Sequence, residues 1–143
     1  MVIVAAVDRS ERAPDVLDQA ATLTEQFGDN LHVVHVMTRS EAVDAETASI
    51  SKDDAVEITE LRAVAASVVT DLLKAHPVTV ETTETGLIGD PADEIIEYAE
   101  DHDARYIVIG PRRRSQTGKI LFGSVAQTVL LNTNRPVVSV LSQ

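Results

Sequence analysis

The 143-residue chain has no cysteine and no tryptophan, and aromatic residues make up only 3% of it. Without cysteine there is no disulfide framework, no thiol catalysis and no thiolate metal site. With so few rings, the core has to be built from Val, Ile, Leu and Ala, which belong to an apolar content of 44% that is high enough for a folded chain. No apolar run approaches the length of a membrane span. The chain opens directly into the apolar run VIVAAV, with no basic start and no small-residue cleavage site after an apolar region. The expectation is a cytoplasmic protein that makes no membrane contact, folded as one domain over residues 1–143.

Positive charge is also scarce. Asp and Glu total 23 against 12 Lys and Arg, for a formal net charge of −11, and the lysines are only Lys52, Lys74 and Lys119. Such an acidic balance keeps a protein dispersed and argues against nucleic acid as a partner. It is similar to the balance of proteins from salt-loving organisms, where salt screens self-repulsion.

What the chain does have is a regular alternation of strand and helix patterns. Val2 to Val7 is a continuous apolar run, as in a strand covered on both faces. Ser10 and Pro14 mark a helix start, Ala13, Val16, Leu17, Ala20, Leu23 and Phe27 give its apolar face, and Gly28 stops it. Leu31 to Met37 is a second strand, with His32 and His35 on opposite faces because their spacing is odd, so the two cannot share a metal. Residues 38–50 show no clear period and read as a mobile surface loop. Ser51, with Asp54 as its capping-box partner, is expected to open a helix whose buried face is Ile58, Leu61, Ala65, Val68 and Leu72, ending near His76 before Pro77. Val78 to Thr85 alternates like an edge strand. Asp90-Pro91-Ala92-Asp93 is a helix start, Tyr106 to Ile109 the fourth strand, Ser124 to Leu131 a helix capped by Ser124, and Val137 to Leu141 a last strand opened by Pro136.

The order β-α-β-α-β-α-β-α-β predicts an α/β fold: an open parallel five-stranded sheet with helices on both faces. Ligands of such sheets sit at the carboxyl ends of the strands, where the strand order reverses. If the order is 3-2-1-4-5, Asp8 at the end of strand one and Gly110 at the end of strand four flank that point.

The stretch after Gly110 is the basic exception in an acidic chain. It reads GPRRRSQTGKILFGSV, with Arg112, Arg113 and Arg114 in a row and Gly123-Ser124 leading into a helix. A strand that feeds a glycine-punctuated basic loop and then a helix N-terminus suits a phosphate group, since free N–H groups and guanidinium forks converge on one spot. Two other phosphate motifs fail. Around Gly118-Lys119 a P-loop would need glycine at Arg113 and Ser or Thr at Ile120, and no glycine follows the first strand in Val7-Asp8-Arg9-Ser10 as a dinucleotide fingerprint requires. Asp8 also stands alone, with no second acid beside it to hold a metal in the manner of a phosphoacceptor receiver domain.

With these residues in place the chain resembles, over its whole length, the universal stress protein family. The ATP-binding members carry G-x2-G-x9-G-[ST] after the fourth strand, and Gly110, Gly123 and Ser124 match it, while Arg113 occupies the second glycine position. The resemblance implies a Rossmann-like, adenine nucleotide alpha hydrolase-like fold that binds ATP, ADP or AMP in a stress-response or regulatory role. It implies Val7 and Asp8 beside the nucleoside, backbone groups around Val36 facing adenine, and Gly110, Arg112, Arg113, Gly123, Ser124 and Val125 around ribose and phosphates. Mg²⁺ would accompany ATP through its phosphates, because the motif supplies no cage of protein oxygens. The resemblance also implies a homodimer formed through the last strand, residues 137–141. The alternatives are a dimeric interaction module that has lost nucleotide binding, favoured by Arg113, and a slow ATPase.

Overall fold

The computed structural model describes residues 1–47, 57–111, 113–114 and 120–141. The elements are β1 (Val2–Ala6), α1 (Ala13–Phe27), β2 (Asn30–Met37), α2 (Arg39–Thr47), α3 (Ile58–Ala75), β3 (Thr82–Ile88), α4 (Pro91–Asp101), β4 (Ala104–Ile109), β5 (Arg113–Arg114), β6 (Ile120–Leu121), α5 (Ser124–Asn132) and β7 (Val137–Ser139). The main sheet runs β3-β2-β1-β4-β7 with every pairing parallel, which is the expected order 3-2-1-4-5 when its five strands are counted along the chain. Among the described residues, no helix is long and apolar enough to cross a membrane.

β1 lies in the middle, and its successive side chains enter different layers. Ile3 and Ala5 join a cluster with Val16, Leu17 and Ala20 of α1 and Val69 of α3, whereas Val4 joins one with Ile95 and Ala99 of α4 and Val129 of α5. Both faces of the strand are dry, which is why VIVAAV is apolar throughout rather than alternating. Each fully buried Ile, Leu or Val side chain contributes about 1.5–3 kcal/mol through area removed from water.

The packing is close because the facing residues are small. Gly86, in the middle of β3, is the tightest case: a Cβ there would overlap the Arg62 carbonyl oxygen and the Ala66 nitrogen of the α3 backbone. Glycine is therefore required by contact between helix and strand.

The amino ends of the three central strands are tied by one carboxylate. Asp29, just before β2, accepts from Arg105 Nε of β4 at 2.6 Å and from its Nη2 at 3.2 Å, and its Oδ1 lies 3.3 Å from the N-terminal ammonium that precedes β1. The Asp29 side chain is only 3% exposed. The Arg105 hydrogen bonds outweigh burial and hold its carboxyl below the usual range, with the ammonium assisting.

Several boundaries differ from the sequence expectation. Residues 39–47 are helix α2 rather than a loop. Thr38 and Glu41 form a capping box, with Glu41 N donating to Thr38 Oγ1 at 3.2 Å and Thr38 N to Glu41 Oε1 at 3.2 Å, and Ala42 is fully buried. The third strand is Thr82–Ile88, not 78–85: Val78 and Val80 pack on the α1–α3 cluster, while Leu87 and Ile88 pair with Val36 and Met37. α3 starts at Ile58 after an extended Glu57, Ile58 is exposed, and the Ser51–Asp54 capping box falls outside the described residues. The cap of α1 is Arg12, with Ser10 Oγ accepting from Arg12 N at 3.3 Å instead of capping the helix proper. β7 stops at Ser139, although Val140 N still donates to the Ile109 carbonyl at 2.8 Å.

Two outcomes test this account. Gly86→Ala should lower stability by about 1–3 kcal/mol or more through overpacking, read as a fall in the denaturant midpoint at unchanged slope; a neutral result would mean that α3 is free to retreat from the sheet. Asp29→Asn should be less stable than the parent throughout the range above the ordinary carboxylate pKa of 3.8. Because the folded-state pKa is depressed, that difference should persist down to the ordinary value and vanish as pH falls through the lower one, in denaturation midpoints taken from about pH 6 to pH 2.

Candidate functional site

β1 separates the two halves of the sheet, so the chain leaves its carboxyl end between β2 on one side and β4 on the other. A cavity of about 270 Å³ opens there. Its walls come from the end of β1 and the turn into α1 (Val7, Asp8, Arg12), the end of β2 (His35, Val36), α2 (Glu41), α4 (Pro91, Ile95) and the segments that follow β4 (Gly110, Gly123, Val125).

Six residues singled out from the sequence, Val7, Asp8, Val36, Gly110, Gly123 and Val125, thus meet at one crevice. Ser124 is not among its walls: it is the first helical residue of α5, and the cap is Gly123, in extended conformation and with no side-chain cap bond. The expectation that Ser124 caps the helix is therefore corrected by one position. The consequence is that no capping side chain at Gly123 occupies the first-turn N–H groups of α5. Arg113 and Arg114 form β5 and pair antiparallel with Leu121 and Ile120, so the basic stretch contains a short hairpin that the sequence reading left as loop. Arg112, Gly118 and Lys119 lie outside the described residues.

The crevice is lined by apolar side chains together with Asp8, Arg12, His35 and Glu41. Asp8 uses Oδ1 to accept from Ser10 N at 2.9 Å, closing the turn into α1, and its Oδ2 lies 3.7 Å from Arg12 Nη2. Over half of the Asp8 side chain remains exposed, while that of Arg12 is 20% exposed. Gly110 seats the end of β4 against α1: a Cβ there would stand 3.0 Å from Val16 Cγ2 and 3.7 Å from Arg12 Cβ. His35 Nδ1 lies 2.7 Å from the Val7 carbonyl oxygen, and since a carbonyl only accepts, Nδ1 carries the proton.

His32 takes no part. It faces the other side of the sheet, as its spacing from His35 requires, where its Nδ1 lies 2.7 Å from the Tyr98 hydroxyl. Burial, with His102 close by, lowers its pKa. Among the described residues no group of three or more His, Cys, Asp or Glu is placed to hold a metal ion.

Arg12, His35, Glu41 and Pro91 were not legible as wall residues. Arg12 had a signal, one helical turn beyond Asp8, and Glu41 had the T-x-x-E pattern of a capping box. His35 and Pro91 reach the crevice only through the pairing of strands distant in sequence.

In open parallel α/β sheets, ligands sit in the crevice where the strand order reverses, which is where this cavity lies. The chain belongs to the universal stress protein family, whose model matches residues 1–140. It is similar to the structure of a universal stress protein from Archaeoglobus fulgidus, at 35% identity over 98% of both chains and a TM-score of 0.67. It is also similar to a universal stress protein from the same organism in complex with dAMP, at 32% identity, 98% and 97% coverage and a TM-score of 0.61. A universal stress protein from Mycolicibacterium smegmatis is 43% identical over 51 residues, 36% of this chain and 39% of that one. The chain matches 39% and 32% of the length of the first curated relatives, well under half of each.

The wall contributed by α2 rests on its cap. Thr38→Ala should remove about 1 kcal/mol of helix stability and raise amide exchange across residues 41–45. Unchanged exchange there would mean that burial of Ala42 alone holds the helix.

Proposed function

We propose that the crevice binds an adenine nucleotide and that the protein is a nucleotide-binding regulatory or stress-response protein without fast turnover. The observation that carries this is the meeting of Val7, Asp8, Val36, Gly110, Gly123 and Val125 around one cavity, in a chain similar to a relative described in complex with dAMP. The base would lie against Val7 and the backbone of Val36, with Asp8 near the adenine or ribose. The phosphates would reach the start of α5 at Gly123, Ser124 and Val125, where N–H groups that receive no side-chain cap from Gly123 and the positive end of the helix favour an anion. Arg112 and Arg113 would add charge-assisted hydrogen bonds from the basic stretch. Mg²⁺ would enter with ATP, held by its phosphates.

Arg113, at the second glycine position of the motif, supports a rival reading, a dimeric interaction module of the same family. Dimerisation fits either reading. Among the described residues β7 is a sheet edge paired with β4 alone, and Leu130, Leu131 and Leu141 nearby in sequence are exposed. An apolar edge of this kind favours pairing with a second copy through residues 137–141. The net charge of −11 supports small-molecule rather than nucleic-acid recognition.

The test is nucleotide released on denaturing the purified protein, identified by mass spectrometry, together with calorimetric titration of Mg-ATP. The expected result is co-purified adenine nucleotide or micromolar-range binding. Gly123→Val should abolish it and leave the oligomeric state intact, because the Gly123 backbone, at φ −67° and ψ 169°, accepts a β-branched residue without strain. Unchanged affinity in Gly123→Val would overturn the site. A folded protein that neither carries nor binds nucleotide would favour the interaction module.

A further inference from the structure

The parallel ladder between β1 and β2 stops earlier than the two strands require. Its last registered pair is Ala6 with Val34, and Val7 N still donates to the Val34 carbonyl at 2.9 Å. In a parallel ladder the carbonyl of the next residue accepts from the partner strand two residues on, so the regular donor to the Val7 carbonyl would be Val36 N–H. That carbonyl instead accepts from the side chain of His35, whose Nδ1 is 2.7 Å away. The same alternation directs the Val36 N–H toward β1, into the space where β1 has ended, and both His35 and Val36 line the cavity there.

We propose that His35 is a positioning residue for the ligand: its imidazole takes the place of the next ladder donor, ends the sheet one rung early and keeps the Val36 N–H available to the ring of a bound purine. This rests on the nucleotide reading given above. Physical chemistry makes the device economical. A buried carbonyl needs a donor, and without one from a side chain it would draw the nearest backbone N–H, which is that of Val36. The imidazole supplies the donor from the same strand, so the corner Val7-Asp8 is held at a fixed distance from β2 while the backbone donor between them stays unspent. The arrangement also fixes the tautomer. The proton sits on Nδ1, and Nε2, across the ring, is left as an acceptor in the neutral form.

The experiment has two arms, one without ligand and one with AMP. In ligand-free full-length protein, nitrogen-15 spectra of the imidazole should show the Nδ1–H tautomer at His35, and the Val36 amide should exchange quickly and become protected on adding AMP. In His35→Leu the ladder should close by one rung: the Val36 amide becomes protected without ligand, and AMP binds roughly five- to tenfold more weakly, the equivalent of one neutral hydrogen bond. His35→Asn, which can present an N–H at the position of Nδ1, should restore fast exchange and most of the affinity. An Nε2–H tautomer, a Val36 amide already protected in the ligand-free parent, or parental AMP affinity in a folded His35→Leu would overturn this inference alone. Failure of the parent to bind AMP would overturn the nucleotide reading and with it the ligand half of the inference, while the tautomer and exchange data would still decide whether His35 ends the ladder.

Discussion

The structure depends on how β1, the central strand, is closed at one end and opened at the other. A strand with neighbours on both sides has every backbone group committed to a ladder, and both its faces are under helices. At its amino end the neighbouring strands are drawn together by Asp29, which gathers the Arg105 fork and the chain's own ammonium in a nearly dry position. Removing one partner of such a group leaves the other uncompensated, so the clip fixes the register from which all three strands run. At the carboxyl end no such carboxylate clip joins β2 and β4 among the described residues. β1 ends between them at Ala6, and the cavity lined by Val7, Val36 and Gly110 opens there.

The scarcity of aromatic residues fits this geometry. Layers built from Val, Leu, Ile and Ala let helices approach the sheet closely, and the approach is limited by backbone rather than by side chains at Gly86, where α3 lies directly on β3. At Gly110 the limit is a side chain instead, since a Cβ there would stand 3.0 Å from Val16 Cγ2 of α1. The two exposed-to-intermediate rings that face one another at the opposite end of the sheet, Phe27 and Tyr106, sit 5.7 Å apart, and Arg105 lies 4.4 Å over Phe27 while also holding Asp29. Two of the four aromatic residues therefore help to brace the closed end.

The sheet order was legible because an apolar run without alternation, followed by an amphipathic helix, repeats along the chain, and few topologies accommodate that pattern. Asp90-Pro91 gave its helix start correctly, with Asp93 N donating to Asp90 Oδ2 at 3.1 Å. The misreadings have physical sources. Val78 and Val80 alternate as a strand does, yet their role is to pack beneath the α1–α3 layer, and the true strand carries the polar run Thr82 to Thr85 because it is a sheet edge. α2 was hidden by its composition, since among its described side chains Ala42 alone is fully buried and the helix rests on its cap. In the crevice, the residues that belong to strand ends could be placed from the sequence. His35 could not be placed, because its role depends on where β1 stops relative to β2, and a stop of that kind is a property of two strands at once.

The electrostatics of the site follow from the same division. A chain of net charge −11 repels a nucleotide at long range, so attraction to phosphate has to be local. Salt shortens the reach of the repulsion, from a Debye length of about 8 Å at physiological ionic strength to about 3 Å near 1 M, while hydrogen bonds made at contact are screened much less. An acidic protein can therefore hold a polyanion if its donors are backbone N–H groups at a helix start and side chains that cannot lose their charge. On the proposed reading, the first turn of α5, which receives no side-chain cap from Gly123, would supply donors of the first kind, and the consecutive Arg112, Arg113 and Arg114 are residues of the second. On the proposed nucleotide reading, the same reasoning would account for Val7 and the backbone of Val36 beside the base: donors without net charge depend little on salt, and they leave discrimination to shape and to the direction in which each N–H points.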